Sequence, residues 1–92
     1  MRCEWDHSKN QANLLKHGLG FEDAALVLSG QIVSFEDDRA DYGELRLISL
    51  GTLGGRVVVV VHTPRADVTR IISMRKANER EQKIYQERLG KA

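Results

Sequence analysis

The sequence predicts an α+β fold with two N-terminal helices, an antiparallel meander of three to four strands and a C-terminal helix. Two segments that end at glycines read as helices, strand-like segments joined by short turns follow, and a charged amphipathic segment closes the chain. Short connections favour antiparallel neighbours. A chain of 92 residues has room for one hydrophobic core, so we expect a single domain over residues 1–92.

The N-terminal part predicts the two helices. CEWD is either a short strand or an extended lead-in. HSKNQANLLKHG reads as a helix that Asp6 or Ser8 caps and Gly18 ends. Its polar stripe is either a solvated face or the rim of a site, and it consists of Lys9, Asn13, Lys16 and His17. FEDAALVLSG predicts a second, shorter helix that ends at Gly30.

The middle of the chain predicts the meander. QIVSFE, ELRLISL, RVVVVVHT and VTRIISM have strand character, and the five consecutive valines indicate a central strand that is buried on both faces. DDRADYG reads as a polar loop, GTLGG as a hairpin connection and PRAD as a turn at Pro64. A helix is expected from about Lys76 to Leu89. Such a sheet usually packs its helices on one face, so we expect an open face for binding.

Composition narrows the functional classes. Residues 1–43 carry a net charge of −4 and residues 44–92 carry +5, which indicates either a face that binds polyanions or charges that mix on folding. There is no apolar run long enough for a membrane span and no signal-peptide segment, and the lone Cys3 fits a reducing compartment. We therefore expect a cytoplasmic protein with no membrane partner.

Metal, cofactor and triad chemistry find little support in the sequence. The three histidines lack metal-ligand spacing, and EDDRAD has Arg39 where a calcium loop needs an oxygen ligand. GTLGG lacks the Lys-Ser/Thr ending of a phosphate loop, and no nucleophile elbow is present. We expect neither a metal nor a cofactor.

The arginines of the second half carry the main functional hypothesis. Arginine grips phosphate with two parallel N–H donors. RNA cleavage through the 2′-hydroxyl needs a base, an acid and cations around the phosphate. Glu44 or His17 is a candidate base or acid, and the candidate cations are Arg46, Arg65, Arg70 and Arg75. The alternative is that these arginines form surface ion pairs or bind an acidic protein.

The positions of Arg70 and Arg75 add a geometric condition. Residues five apart on a regular strand point to opposite faces. Both side chains line one site only if the strand ends or bulges before Arg75. The change from strand to helix that we expect around Met74–Lys76 supplies that break.

Four motifs, in order, carry a resemblance to a known family. They are WDHSKNQANLLKHG with FEDA after it, GELRLISLG, VVVVVHTPR, and RIISMRKANERE. Together they resemble the BrnT toxins and span Trp5 to about Tyr85. Met74 stands where that family usually has alanine, and His62 where tyrosine is common. His62 adds an acid–base group or simply caps its strand.

The resemblance implies a type II toxin of the RelE-like ribonuclease fold. Such a toxin is a metal-independent endoribonuclease that blocks translation. It is neutralised by a BrnA-like antitoxin in a 2:2 heterotetramer that contacts DNA only through the antitoxin. By position, the implied site residues are Lys16, His17, Glu44, Arg46, Arg65, Arg70 and Arg75. The alternative is an inactive family member that works as a partner-binding module.

Overall fold

The computed structural model describes residues 1–90 of the chain. Five strands, three α-helices and one 3₁₀ turn follow each other along it. Their bounds are β1 Arg2–Glu4, α1 His7–His17, the 3₁₀ turn Phe21–Asp23, α2 Ala24–Leu28, β2 Val33–Glu36, β3 Leu47–Leu53, β4 Arg56–Arg65, β5 Val68–Lys76 and α3 Glu79–Gly90. None of the helices within the described residues combines the length and the apolar character that crossing a bilayer requires.

The sheet is mixed and has five strands in the order β1-β5-β4-β3-β2. The predicted meander is confirmed, because β2, β3, β4 and β5 pair antiparallel in sequence order. The N-terminal segment is a strand rather than a lead-in, and it pairs parallel with β5. The expected strand number and the purely antiparallel arrangement were therefore wrong. A three-residue strand has no sequence period, so only its pairing reveals it.

Helices cover both faces of the sheet, which corrects the expectation of one open face. Val58 and Val60 pack with α2, the 3₁₀ turn and β5 in one core cluster. Val57 and Val59 belong to a second cluster with Tyr85 of α3. The alternation of side chains along a strand explains the result, since consecutive valines bury alternate sides. We call the side that α3 covers the α3 face and the other the α1/α2 face.

Several element bounds differ from the prediction, because β3 and β4 continue beyond the residues whose strand character the sequence showed. β3 continues to Leu53, and only Gly54 and Gly55, with φ of 59° and 79°, form the hairpin turn. β4 includes Pro64 and Arg65, so the second turn lies at Ala66, which has a φ of 55°. The shorter helix begins as a 3₁₀ turn and ends at Leu28, before Gly30.

The last helix begins later than expected, at Glu79, because β5 continues through Lys76. Asn78 and Glu81 form a capping box. The Asn78 side chain accepts from the Glu81 N–H at 2.8 Å, and the Glu81 carboxylate accepts from the Asn78 N–H at 2.9 Å. The first helix agrees with the prediction, since Asp6 caps it and Gly18 ends it with a φ of 71°.

Candidate active site

A bulge interrupts β5 next to its partner β4. Val61 pairs with Ser73 and His62 pairs with Ile71, which leaves Ile72 as an extra residue in β5. A bulge of this kind shifts the side-chain alternation of one strand by one position.

The bulge brings Arg70 and Arg75 to the same face of the sheet. Ile71 and Met74, three residues apart, both pack in the α1/α2 core cluster. Their outer neighbours Arg70 and Arg75 therefore lie on the α3 face. The predicted break is confirmed as a bulge, but it lies at Ile72 and not at a change to helix around Met74–Lys76, which was wrong.

Three of the predicted arginines lie around Thr63 of β4. Arg70 is the cross-strand partner of Thr63, and Arg65 follows two residues later on the same face. The Thr63 hydroxyl donates to the carbonyl of Leu45, the residue before Arg46. The ends of three strands thus bring Arg46, Arg65 and Arg70 to one end of the α3 face.

Carboxylates accompany two of these cations. Arg65 donates to Glu44 at 3.3 Å, and both side chains are exposed. Arg70 lies 3.7 Å from the carboxylate of Glu4, its partner on β1. Exposed pairs at such distances contribute little to stability, about 0–1 kcal/mol each. Because these pairs are weak, Arg65 and Arg70 can each exchange the carboxylate for a phosphate.

Arg46 is held by an aromatic ring instead of a carboxylate. Its guanidinium carbon lies 4.1 Å from the centre of the Tyr42 ring, a cation–π contact. Its Nε atom is buried and has no hydrogen-bond partner in the described part of the chain. The remaining guanidinium N–H groups are the ones that can reach a ligand.

The loop before β3 is anchored by a second arginine. Arg39 donates from Nε and Nη2 to the buried Asp37 carboxylate, at 2.7 Å each, and the Tyr42 hydroxyl donates to it at 3.3 Å. These donors, Arg39 first, lower the pKa of Asp37 to about 2. The Asp37 N–H also donates to the carbonyl of Arg46 at 2.7 Å. This anchor positions Tyr42 under Arg46.

Arg75 is held by Glu81 of α3. Nη1 and Nη2 each donate to one oxygen of the Glu81 carboxylate at 2.8 Å. This pair raises the pKa of Arg75 and lowers that of Glu81. Sequence reasoning missed Glu81, although the spacing Asn78-x-x-Glu81 is the signature of a capping box and locates it at a helix start.

Next to the Arg75–Glu81 pair, α3 and the sheet form an open apolar groove of about 370 Å³. Phe35, Ile48 and Ile84 line it, and Glu81 forms part of its wall. The guanidinium of Arg88 lies 5.4 Å from the centre of the Phe35 ring. An apolar groove next to arginines can hold a nucleobase while the arginines hold its phosphate.

Lys16 and His17 lie apart from the arginine group. They line a shallow groove of about 260 Å³ with Ile72 and Ser73 of β5. This groove borders the edge of β5 that the short β1 leaves uncovered. The structure therefore separates the seven predicted residues into five on the α3 face or its end and two on α1.

His62 is directed away from the α3 face. Its partner Ile71 packs in the α1/α2 core, and residues directly opposite in a sheet share a face. His62 is 8% exposed, and its Nε2 lies 2.7 Å from the Ser49 hydroxyl. Burial lowers its pKa, so the ring is neutral at pH 7.

The comparison with family models gives the decisive observation. The sequence matches the model described as "Ribonuclease toxin, BrnT, of type II toxin-antitoxin system" over residues 5–81. The chain belongs to the BrnT family. The match confirms the resemblance carried by the four motifs, and family membership implies an antitoxin protein as partner. The comparison with curated proteins found no match.

In this BrnT chain, residues 1–90 contain no cluster of three or more His, Cys, Asp or Glu side chains that is arranged to hold a metal ion. The chemical groups that the α3 face offers are guanidinium donors, carboxylates and aromatic rings. Guanidinium groups stabilise charge that develops on phosphate oxygens. This face is therefore the candidate active site of the BrnT chain.

Proposed function

We propose that this BrnT chain is an active, metal-independent endoribonuclease of the RelE-like type that cleaves RNA and inhibits translation in the cytoplasm. The observation that supports it is that Arg46, Arg65, Arg70 and Arg75 share one face of the sheet, and the β5 bulge is what turns both Arg70 and Arg75 to that face. Four guanidinium groups on one face provide the donors that a cleaved phosphate needs.

The chemistry assigns different tasks to the groups on this face. The arginines bind the phosphate and stabilise the charge that grows on its oxygens during attack by the 2′-hydroxyl. Glu44, exposed beside Arg65, is the carboxylate we assign as general base: it takes the proton of the 2′-hydroxyl as that oxygen bonds to phosphorus. The P–O5′ bond breaks in the same reaction, and the leaving 5′-oxygen takes a proton from solvent water. We assign Lys16 and His17, in the groove at the β5 edge, to contacts with the RNA outside the cleaved phosphate.

A BrnA-like antitoxin is the proposed partner, in a 2:2 heterotetramer that reaches DNA only through the antitoxin. The arginines of the α3 face can bind the carboxylates of an acidic antitoxin segment, which would exclude RNA from the same residues. We expect antitoxin binding to abolish RNA cleavage and to weaken when the arginines are replaced.

Cleavage by purified protein in excess EDTA tests the proposal. A fluorescent single-stranded RNA is incubated with the wild type and with Arg46→Ala, Arg65→Ala, Arg70→Ala, Arg75→Ala and Glu44→Ala. Arg56→Ala is the matched control, because Arg56 is an exposed arginine at the opposite end of β4. We expect each site variant to lose about 10-fold or more of the cleavage rate. An intact RNA with the wild type would refute the proposal.

A second candidate, an inactive partner-binding module, is favoured by two observations. Arg65, Arg70 and Arg75 already have carboxylate partners within the protein. In addition, α1 exposes Leu14 and Leu15, and exposed apolar surface marks protein contacts. This candidate predicts tight antitoxin binding with no RNA cleavage and no growth arrest. Expression of the chain alone, followed by measurement of growth and RNA integrity, separates the two functions.

A further inference from the structure

Glu81 joins two structural elements through one carboxylate. Its Oε1 accepts from the Asn78 N–H at 2.9 Å, which closes the capping box of α3. Both of its oxygens also accept from Arg75 at 2.8 Å. Its side chain is only 19% exposed, whereas that of Arg75 is 40% exposed. Glu81 is therefore fixed by the helix start, and it holds an arginine that reaches solvent.

The contacts of Arg75 use one end of its guanidinium group. Nη1 and Nη2 bind Glu81, and Nη1 also donates to the Lys76 carbonyl at 3.3 Å. The Nε–H and the second Nη2 N–H lie together on the remaining edge. Within residues 1–90 no protein group accepts from that edge. In Arg39 the same edge binds an anion, because Nε and Nη2 each donate to one oxygen of a carboxylate at 2.7 Å.

We infer that Glu81 is a positioning residue of the proposed ribonuclease reaction, on which this inference rests. It holds Arg75 so that the Nε–Nη2 edge grips two non-bridging oxygens of the RNA phosphate. Oxygens on one phosphorus match the spacing of two parallel N–H donors. Glu81 itself touches no substrate. Its effect reaches the reaction through the orientation of Arg75.

A competing possibility is that Glu81 occupies the place of the phosphate and leaves when RNA binds. Displacement of Glu81 would also break its bond from the Asn78 N–H, so the capping box would lose one of its two hydrogen bonds. If Glu81 stays in place and Arg75 binds the phosphate through its other edge, the capping box remains intact. The geometry therefore favours positioning over competition.

The test is the steady-state cleavage of a single-stranded RNA by Glu81→Gln and by Glu79→Gln. Glutamine at position 81 still accepts from the Asn78 N–H, so the helix cap is retained while the charge is lost. Glu79 is the matched control, because it is an exposed glutamate in the same helical turn. We expect Glu81→Gln to lower kcat by about 10- to 100-fold with KM within about twofold, the loss typical of a misplaced phosphate-binding group. Glu79→Gln should match the wild type.

Two further measurements separate positioning from folding. The thermal midpoint of Glu81→Gln should stay close to that of the wild type. In an Arg75→Ala background, Glu81→Gln should cause no further loss, because its effect requires the Arg75 side chain. A multiplicative loss in the double variant would overturn the inference.

Three other results would contradict the inference about Glu81. If Glu81→Gln cleaves as fast as the wild type, Glu81 does not position Arg75 for the reaction. If it cleaves faster or with a lower KM, Glu81 competes with phosphate and the inference is wrong. In both cases the wild type cleaves RNA, so the proposed function survives. A wild type that cleaves no RNA overturns both proposals.

Discussion

Asn13 of α1 completes the hydrogen bonding of Met74 at the open edge of β5. The Asn13 amide donates to the Met74 carbonyl at 2.7 Å and accepts from the Met74 N–H at 3.2 Å. β1 pairs with β5 only as far as Arg70, so no strand within residues 1–90 reaches Met74 on that side. A side-chain amide thus replaces a missing strand and fixes α1, with Lys16 and His17, against the sheet.

Asn13→Ala should therefore destabilise the fold. It leaves the buried N–H and carbonyl of Met74 without partners, at about 1–3 kcal/mol for each group. We expect the free energy of unfolding, measured by urea titration, to fall by about 2–6 kcal/mol. Gln11→Ala on the exposed side of α1 is the control. Alanine favours a helix at both positions, so an equal loss in both variants would mean that the hydrogen bonds of Asn13 to the β5 edge are not responsible.

Gly51→Ala should weaken the packing of α2 on β3. A Cβ at position 51 would lie 2.7 Å from Cγ1 of the buried Val27, which is too close, and 3.2 Å from Cγ2 of the half-buried Ile32, which is tight. Overpacking of a core typically costs about 1–3 kcal/mol. Gly30→Ala is the control, because its nearest contact is an ordinary 3.5 Å to the Val27 carbonyl. A thermal midpoint of Gly51→Ala equal to that of Gly30→Ala would contradict the close approach.

The Asp37–Arg39 pair predicts a pH dependence of stability. The pKa of Asp37 falls from 3.8 to about 2 on folding, so its carboxylate stabilises the fold above pH 3.8. That contribution is lost as the pH falls from 3.8 towards 2. Asp37→Asn should be less stable than the wild type at pH 6, and the difference should narrow towards pH 2.

Urea titrations at several pH values check this prediction for Asp37. Asp38→Asn, at the exposed neighbouring position, serves as the control and should show no comparable narrowing. A constant difference in the free energy of unfolding between Asp37→Asn and the wild type from pH 6 to pH 2 would show that the negative charge of Asp37 does not stabilise the fold.

Tyr42 should affect RNA cleavage through Arg46. Tyr42→Ala removes the ring under the half-buried guanidinium, a contact worth about 0.5–2 kcal/mol, which corresponds to about a 2- to 30-fold loss of kcat/KM. Tyr42→Phe keeps the ring and loses only the hydrogen bond to Asp37, so it should retain most of the activity. Equal losses in the two variants would assign the effect to the hydroxyl instead.

Much of the fold could be predicted from local patterns. The first helix has its cap and its glycine stop in the sequence, and four strands show β-branched or alternating residues. The bounds were less predictable, since Pro64 and Arg65 continue β4 only because partners on β5 pair with them. The start of α3 was misplaced because helical composition begins at Lys76, whereas the capping box begins at Asn78.

The candidate site was predictable in its residue types but only partly in its arrangement. Family motifs pointed to the arginines. The bulge at Ile72 and the anchor of Asp37 on Arg39 depend on contacts between strands or within a loop, for which a linear pattern has no signal. The partnership of Glu81 with Arg75 had a signal in the Asn-x-x-Glu spacing, but the spacing indicates a helix start and not the arginine that the carboxylate would meet.

The sequence by itself determined that this is an α+β protein of the BrnT family with arginines in its second half, because periodicity, turn residues and motifs are local properties. The tertiary structure decided which arginines share a face, because side-chain direction in a sheet depends on register, and one extra residue reverses it. It also placed Lys16 and His17 apart from them, since the packing of a helix against a sheet edge follows from contacts between residues distant in the chain.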